Sequence, residues 1–145
     1  GTAGKEGWEK ITLASTIGGM VINTAGVTLA HGMEHPASGL KNIVHGQGLA
    51  ALTPVIIEAS YKGNREKFSK IARIMGGMTA EDCATKIRTL LKKLDLDCTL
   101  SDLGIKEEDI PWMAENCMKV SAAGVMNNPV VFLKEEIAEI YRKAL

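Results

Sequence analysis

The feature that most constrains this chain is a run of twenty residues without a charge, Ile11 to Ala30, built largely from small side chains. No apolar/polar alternation of period two appears anywhere, whereas apolar residues recur at helical spacing along most of the chain. The expectation is an all-α protein. Residues from about Trp8 to Ala30 read as one long helix, apolar on all sides, and a helix of that kind belongs in a core. Gly18, Gly19, Ala25 and Gly26 would let neighbouring helices approach closely, at roughly 1 kcal/mol of helix propensity for each interior glycine. A run of about 20 residues could also span a bilayer. No aromatic or basic anchors flank both ends, however, so a buried central helix and no membrane partner are expected.

All three histidines of the chain follow directly: His31, His35 and His45 fall within fifteen residues. Neutral imidazole is the commonest metal-ligating side chain and a proton shuttle near neutral pH, so residues 31 to 45 read as the wall of a site. His31 and His35 would share a face of a continuous helix. Gly32 weakens such a helix, and Pro36 biases His35 away from helical backbone. The expected break puts Pro36 at the start of a new helix with His35 near its cap. His31 to His35 also fits the H-x-x-E-H pattern of zinc hydrolases, which needs one regular helix. A third reading is three satisfied polar histidines around a helix junction. Glu34 reads as a solvated or cap-satisfying side chain.

The rest of the chain divides by character. Residues 1–62 read as a buried, site-bearing layer, with a second buried helix from His45 to Lys62 that Pro54 should kink. Residues 63–145 read as amphipathic scaffold helices within the same single domain, of orthogonal multi-helix architecture with about seven helices. Phe68, Ile71, Ala72 and Met75 form one stripe, stopped by Gly76-Gly77. Cys83, Ile87, Leu90, Leu91 and Leu94 form a second, behind a capping box of Thr79 and Asp82. Met113, Cys117 and Val120 form a third, and Ile137, Ile140, Tyr141 and Ala144 a fourth. Lys plus Arg equals Asp plus Glu at 17 each, which argues against a nucleic-acid partner. Three widely spaced cysteines, with no CxxC pair and no leader-like start, point to a reducing, cytoplasmic compartment.

The histidine region resembles the iron-containing (group III) alcohol dehydrogenase family in its C-terminal helical domain. The residues that carry the resemblance are His31-Gly32-Met33-Glu34-His35-Pro36, Ser38-Gly39, Val44-His45-Gly46-Gln47-Gly48-Leu49-Ala50 and Pro54. It extends to the Lys67–Met75 segment, to Ile110-Pro111-Trp112-Met113-Ala114, and to Asn128-Pro129-Val130 followed by Glu135-Glu136-Ile137. The resemblance implies that His31 and His45 are ligands of a catalytic divalent metal, iron(II) or in some members zinc. It implies that His35 stands beside the metal and the nicotinamide ring, with a catalytic and cofactor-contacting role. The implied activity is oxidation of a small alcohol, or reduction of an aldehyde, with NAD or NADP, by a full-length homo-oligomer. The family's other two ligands, an aspartate and a histidine four residues later, have no counterpart before His31, where neither residue type occurs. No strand-turn-helix unit with a Gly-rich phosphate loop is present either. The chain thus reads as the C-terminal part of a larger enzyme, inactive by itself, and the rival is a non-enzymatic helical interaction module.

Overall fold

The computed structural model describes residues 4–145. The elements are α1 (Lys5–Ala25), α2 (Leu29–Lys41), α3 (His45–Ser60), α4 (Arg65–Ile74), α5 (Asp82–Lys93), α6 (Ile110–Val120), α7 (Ala122–Met126) and α8 (Lys134–Ala144). Short 3₁₀ turns at Tyr61–Asn64 and Glu107–Asp109 lead into α4 and α6. No strand occurs among the described residues, so the chain is all-α, as its periodicity requires.

Three expectations about the first sixty residues need correction. The uncharged run is not one helix. Gly26 takes a φ of 72°, a backbone conformation that favours glycine, and the chain turns there by 103° before α2 begins at Leu29. Nor is α1 buried: none of its residues is, and Trp8, Ile11, Leu13, Ile17, Met20, Val21 and Ile22 all stand exposed. The buried layer expected over residues 1–62 therefore leaves α1 out. Among the described residues, no single helix is long and apolar enough to cross a membrane.

The break expected at Pro36 is absent as well: α2 runs unbroken through Gly32 and Pro36. Local propensity opposes this by roughly 1 kcal/mol for the glycine and about 3 kcal/mol for the proline. Tertiary burial outweighs it. Leu29, Met33 and Ala37 are completely buried on the opposite side of the helix from solvent, and a large apolar side chain contributes about 1.5–3 kcal/mol on full burial. Gly32 is a packing residue here: a Cβ would meet Ser121 Cβ at 3.1 Å and Cys117 Sγ at 3.5 Å, so its absence lets α6 approach. The buried Tyr141 hydroxyl of α8 donates to Met33 O at 2.5 Å and ties the middle of α2 down.

The core joins α2, α3, α6 and α8 through Met33, Leu52, Ile56, Ile110, Met113, Ile137 and Tyr141, with Leu100 and Ile105 entering from the connector. Pro54 does not break α3; it is buried inside the helix. A smaller cluster of Phe68, Ala72, Ala80 and Cys83 packs α4 and α5 under Ile57 and Tyr61. The stripes expected there are only half realised. Phe68, Ala72 and Cys83 are buried, whereas Ile71, Leu90 and Leu94 are exposed, as is Val120 on α6. Ile137, Ile140, Tyr141 and Ala144 are all buried. The three cysteines are free, and burial pushes the Cys117 thiol up to about 12.

Candidate metal centre

The continuity of α2 sets His31 and His35 one turn apart on one helical face. Residues 42–44 connect α2 to α3, and Asn42 adopts a left-handed conformation, φ 52°, at the C-terminal end of α2. Asparagine tolerates that conformation better than most side chains. The reversal is sharp enough for His45, the first residue of α3, to return against α2. The ring centroids are 5.3 Å apart for His31 and His45, 5.8 Å for His35 and His45, and 6.1 Å for His31 and His35. All three histidines singled out in the sequence therefore converge.

Sequence reasoning missed Glu34. Its side chain has 0% exposure, so it is neither solvated nor a cap. Its Oε1 accepts a hydrogen bond from Ser38 Oγ, and its Oε2 is at hydrogen-bond distance from His45 Nδ1. The same Ser38 hydroxyl lies 3.1 Å from the Ile43 carbonyl, in the α2–α3 connection. Gly48 closes the site from α3: a Cβ there would lie 2.8 Å from both Glu34 Cγ and Oε1. The available signal was the four-residue spacing of Glu34 and Ser38, which puts both on one face of a helix. The break expected at Pro36 hides that signal.

These residues fit a divalent cation. His31 is held below the ordinary histidine range by burial first, then by the nearby His45 and His35, with Glu34 acting in the opposite direction. The neutral ring is the form that binds metal. Donor atoms of Glu34, His35 and His45 lie within 4.8 Å of one another, a compact set that does not include His31, whose ring centroid stands 5.3 Å from that of His45. Imidazole nitrogens suit iron, zinc and other first-row ions, so the donor type alone does not choose among them. A concavity of about 550 Å³ lies elsewhere: Val21, Thr28, Ile57, Lys67, Phe68 and Asn128 line it, and none of the histidines does.

Comparison with known proteins places this geometry in context. Residues 3–145 match the model of the "Fe-containing alcohol dehydrogenase family, C-terminal". The chain is 36% identical to 1,3-propanediol dehydrogenase of Klebsiella pneumoniae, covering 94% of this chain and 37% of that protein. It is 30% identical to lactaldehyde reductase of Escherichia coli (strain K12), covering 97% of this chain and 38% of that protein. Among solved structures, 1,3-propanediol oxidoreductase superposes with a TM-score of 0.84 at 34% identity, over 97% of this chain and 38% of that one. An archaeal halo-thermophilic alcohol dehydrogenase from a Red Sea brine pool superposes with a TM-score of 0.87 at 36% identity, with the same coverage. The chain thus spans little more than a third of the length of these relatives. On sequence and fold together, it belongs to the iron-containing alcohol dehydrogenase family and corresponds to its C-terminal part.

Proposed function

We propose that this chain is the metal-holding helical part of a dehydrogenase that oxidises a small alcohol, or reduces an aldehyde, with NAD or NADP. The observation that carries the reading is the convergence of His31, His35 and His45 from two helices onto one spot. His31 and His45 would hold a divalent ion, iron(II) by family and zinc as the alternative. Their rings are the nearest pair, and burial and the neighbouring rings hold His31 below the ordinary histidine range. When bound, such an ion supplies Lewis acidity that eases loss of the alcohol proton. His35, the more exposed of the α2 pair, would stand beside the substrate and nicotinamide and move that proton. The partner is a small alcohol or aldehyde, in keeping with the substrates named for the relatives. A homo-oligomeric full-length protein and a cytoplasmic setting, the latter consistent with three free cysteines, complete the reading.

Two observations bear on the zinc-hydrolase reading of H-x-x-E-H, in opposite directions. The unbroken α2 supplies the regular helix that reading needs. The carboxylate it needs to activate water is buried and already engaged by His45 and Ser38.

The test is alanine replacement of each histidine in the full-length enzyme, with bound metal and hydride-transfer rate measured separately. His31→Ala and His45→Ala should empty the site. His35→Ala should keep the metal and lose turnover. If His35→Ala empties the site while His45→Ala stays loaded, the ligand assignment is reversed.

A further inference from the structure

We infer that Glu34 is a positioning residue: a buried carboxylate that locks His45 in its Nδ1–H form and thereby presents Nε2 as the metal donor. The inference rests on the metal-holding role proposed for His45. Glu34 Oε2 stands at hydrogen-bond distance from His45 Nδ1, and Oε1 is taken up by Ser38 Oγ, so the carboxyl group faces Nδ1 as an acceptor. In the neutral ring the remaining nitrogen, Nε2, then carries the free lone pair. His45 alone has no such preference built in. It is the first residue of α3, its side chain is half exposed, and its ring could rotate or exchange tautomers freely.

The arrangement is built to hold the carboxylate, not only to accommodate it. Glu34 stands in the middle of α2, where burial of Leu29, Met33 and Ala37 and the Tyr141 hydroxyl hold the backbone. Ser38, one turn along, donates to Oε1 and fixes the second oxygen. The absent side chain of Gly48 is what makes room for Glu34 Cγ and Oε1. A fully buried carboxylate is costly unless it is hydrogen-bonded, and both oxygens are. The same arrangement, a carboxylate behind the ring of a metal-binding histidine, fixes ring orientation and raises ligand basicity; loss of the carboxylate typically costs about 10 to 100-fold in metal affinity.

Glu34 could instead be a metal ligand itself, since its donor atoms lie near those of His35 and His45. The close approach of Oε2 to Nδ1 favours the positioning role: two bare lone pairs at hydrogen-bond distance repel, whereas a shared proton attracts.

The experiment uses the 145-residue chain and its Glu34→Gln, Glu34→Ala, His31→Ala and His45→Ala variants. Nitrogen-15 NMR of the imidazoles at about pH 8, without metal, reads the His45 tautomer; calorimetry reads zinc affinity. Circular dichroism checks that each variant folds. In the parent chain His45 should be protonated at Nδ1. Glu34→Ala should release that tautomer and weaken zinc about 10 to 100-fold. Glu34→Gln, which keeps an acceptor oxygen, should retain the tautomer and lose only a few-fold in affinity. A parent His45 protonated at Nε2 overturns the inference. So does unchanged affinity in Glu34→Ala. Loss of all measurable zinc binding in Glu34→Gln with the tautomer intact also overturns it, and makes Glu34 a ligand. The metal-site reading fails separately, if His31→Ala and His45→Ala bind zinc as the parent does.

Discussion

At the scale of single residues, the site depends on what is missing at Gly48 as much as on what is present at Glu34. Gly48 lies inside α3, where alanine would normally gain up to about 1 kcal/mol of helix propensity. Its Cβ would fall 2.8 Å from Glu34 Cγ and Oε1 and 3.2 Å from Cδ. Forcing an atom into a filled interior costs about 1–3 kcal/mol. The three nearest atoms all belong to the Glu34 side chain, and moving it breaks the contacts to His45 and Ser38. Gly48→Ala should therefore change thermal stability little or lower it modestly while clearly weakening zinc binding. Gly46, in the same helix, is the control, because a Cβ there would have nothing within 4 Å. Gly46→Ala should raise stability by up to about 1 kcal/mol. Melting curves and zinc titrations on the two variants make the comparison. Equal zinc affinity in both would show that Glu34 can shift without consequence.

At the scale of elements, α5 and α6 are entered through aspartates that accept backbone N–H groups, and a third aspartate does the same in the connector. Asp82 accepts from Met78 and Thr79 ahead of α5, and Asp102 from Thr99 in the turn of the connector. Asp109 accepts from Lys106 ahead of α6 and pairs with Lys41 of α2 at 3.2 Å. Each carboxyl is held below the ordinary aspartate range, in every case chiefly by a backbone hydrogen bond: from Thr79 to Asp82, from Thr99 to Asp102 and from Lys106 to Asp109. Folding thus favours the charged forms. The stability they contribute is complete above the unfolded value, near about 3.9, and is lost as pH falls through the lower folded values. Denaturant unfolding should show a stability plateau above about pH 5 and a decline below about pH 4. Replacing all three by asparagine, which cannot titrate, should flatten that decline. An undiminished acid slope in the triple variant would assign acid sensitivity to other groups. The spacing of Thr79 and Asp82 was legible as a helix start; the bonds the aspartate makes are to Met78 and Thr79 N–H, in the turn before α5.

At the scale of the whole molecule, segments distant in sequence are joined by contacts between backbones. Gly63 sits in the 3₁₀ turn between α3 and α4, against the 127–130 loop that precedes α8. A Cβ there would come within 2.3 Å of Pro129 O and 2.7 Å of Pro129 C. Backbone atoms cannot swing aside as the end of a side chain can. The loop is also fastened by Asn128, which donates to Ser60 Oγ at 3.0 Å and Val130 O at 2.8 Å. Gly63→Ala should cost about 1–3 kcal/mol, a fall in Tm of roughly 2–4 °C per kcal/mol for a domain of this size. Calorimetry would expose the error if the variant melted with the parent. In the sequence Gly63 stands only at the boundary between the site-bearing layer and the scaffold helices. Its partner, Pro129, lies far along the chain, and nothing local announces such a contact.

The fold class, the α8 stripe and the clustering of the three histidines were legible in the amino-acid sequence, because each is a matter of periodicity or of residue type within a short window. Helical spacing decides which face of α8 is apolar, whatever it packs against. Tertiary structure alone decided the rest. Local propensity predicted a break at Pro36, but burial of Leu29, Met33 and Ala37 holds α2 straight through it, which sets His31 and His35 on one face. Local hydropathy predicted a buried first helix, but burial needs a neighbour, and among the described residues none covers the apolar side of α1. Glu34 looked like a surface charge because its cost of burial is offset by His45 and Ser38. The His45 contact arises only when the chain turns back at Asn42.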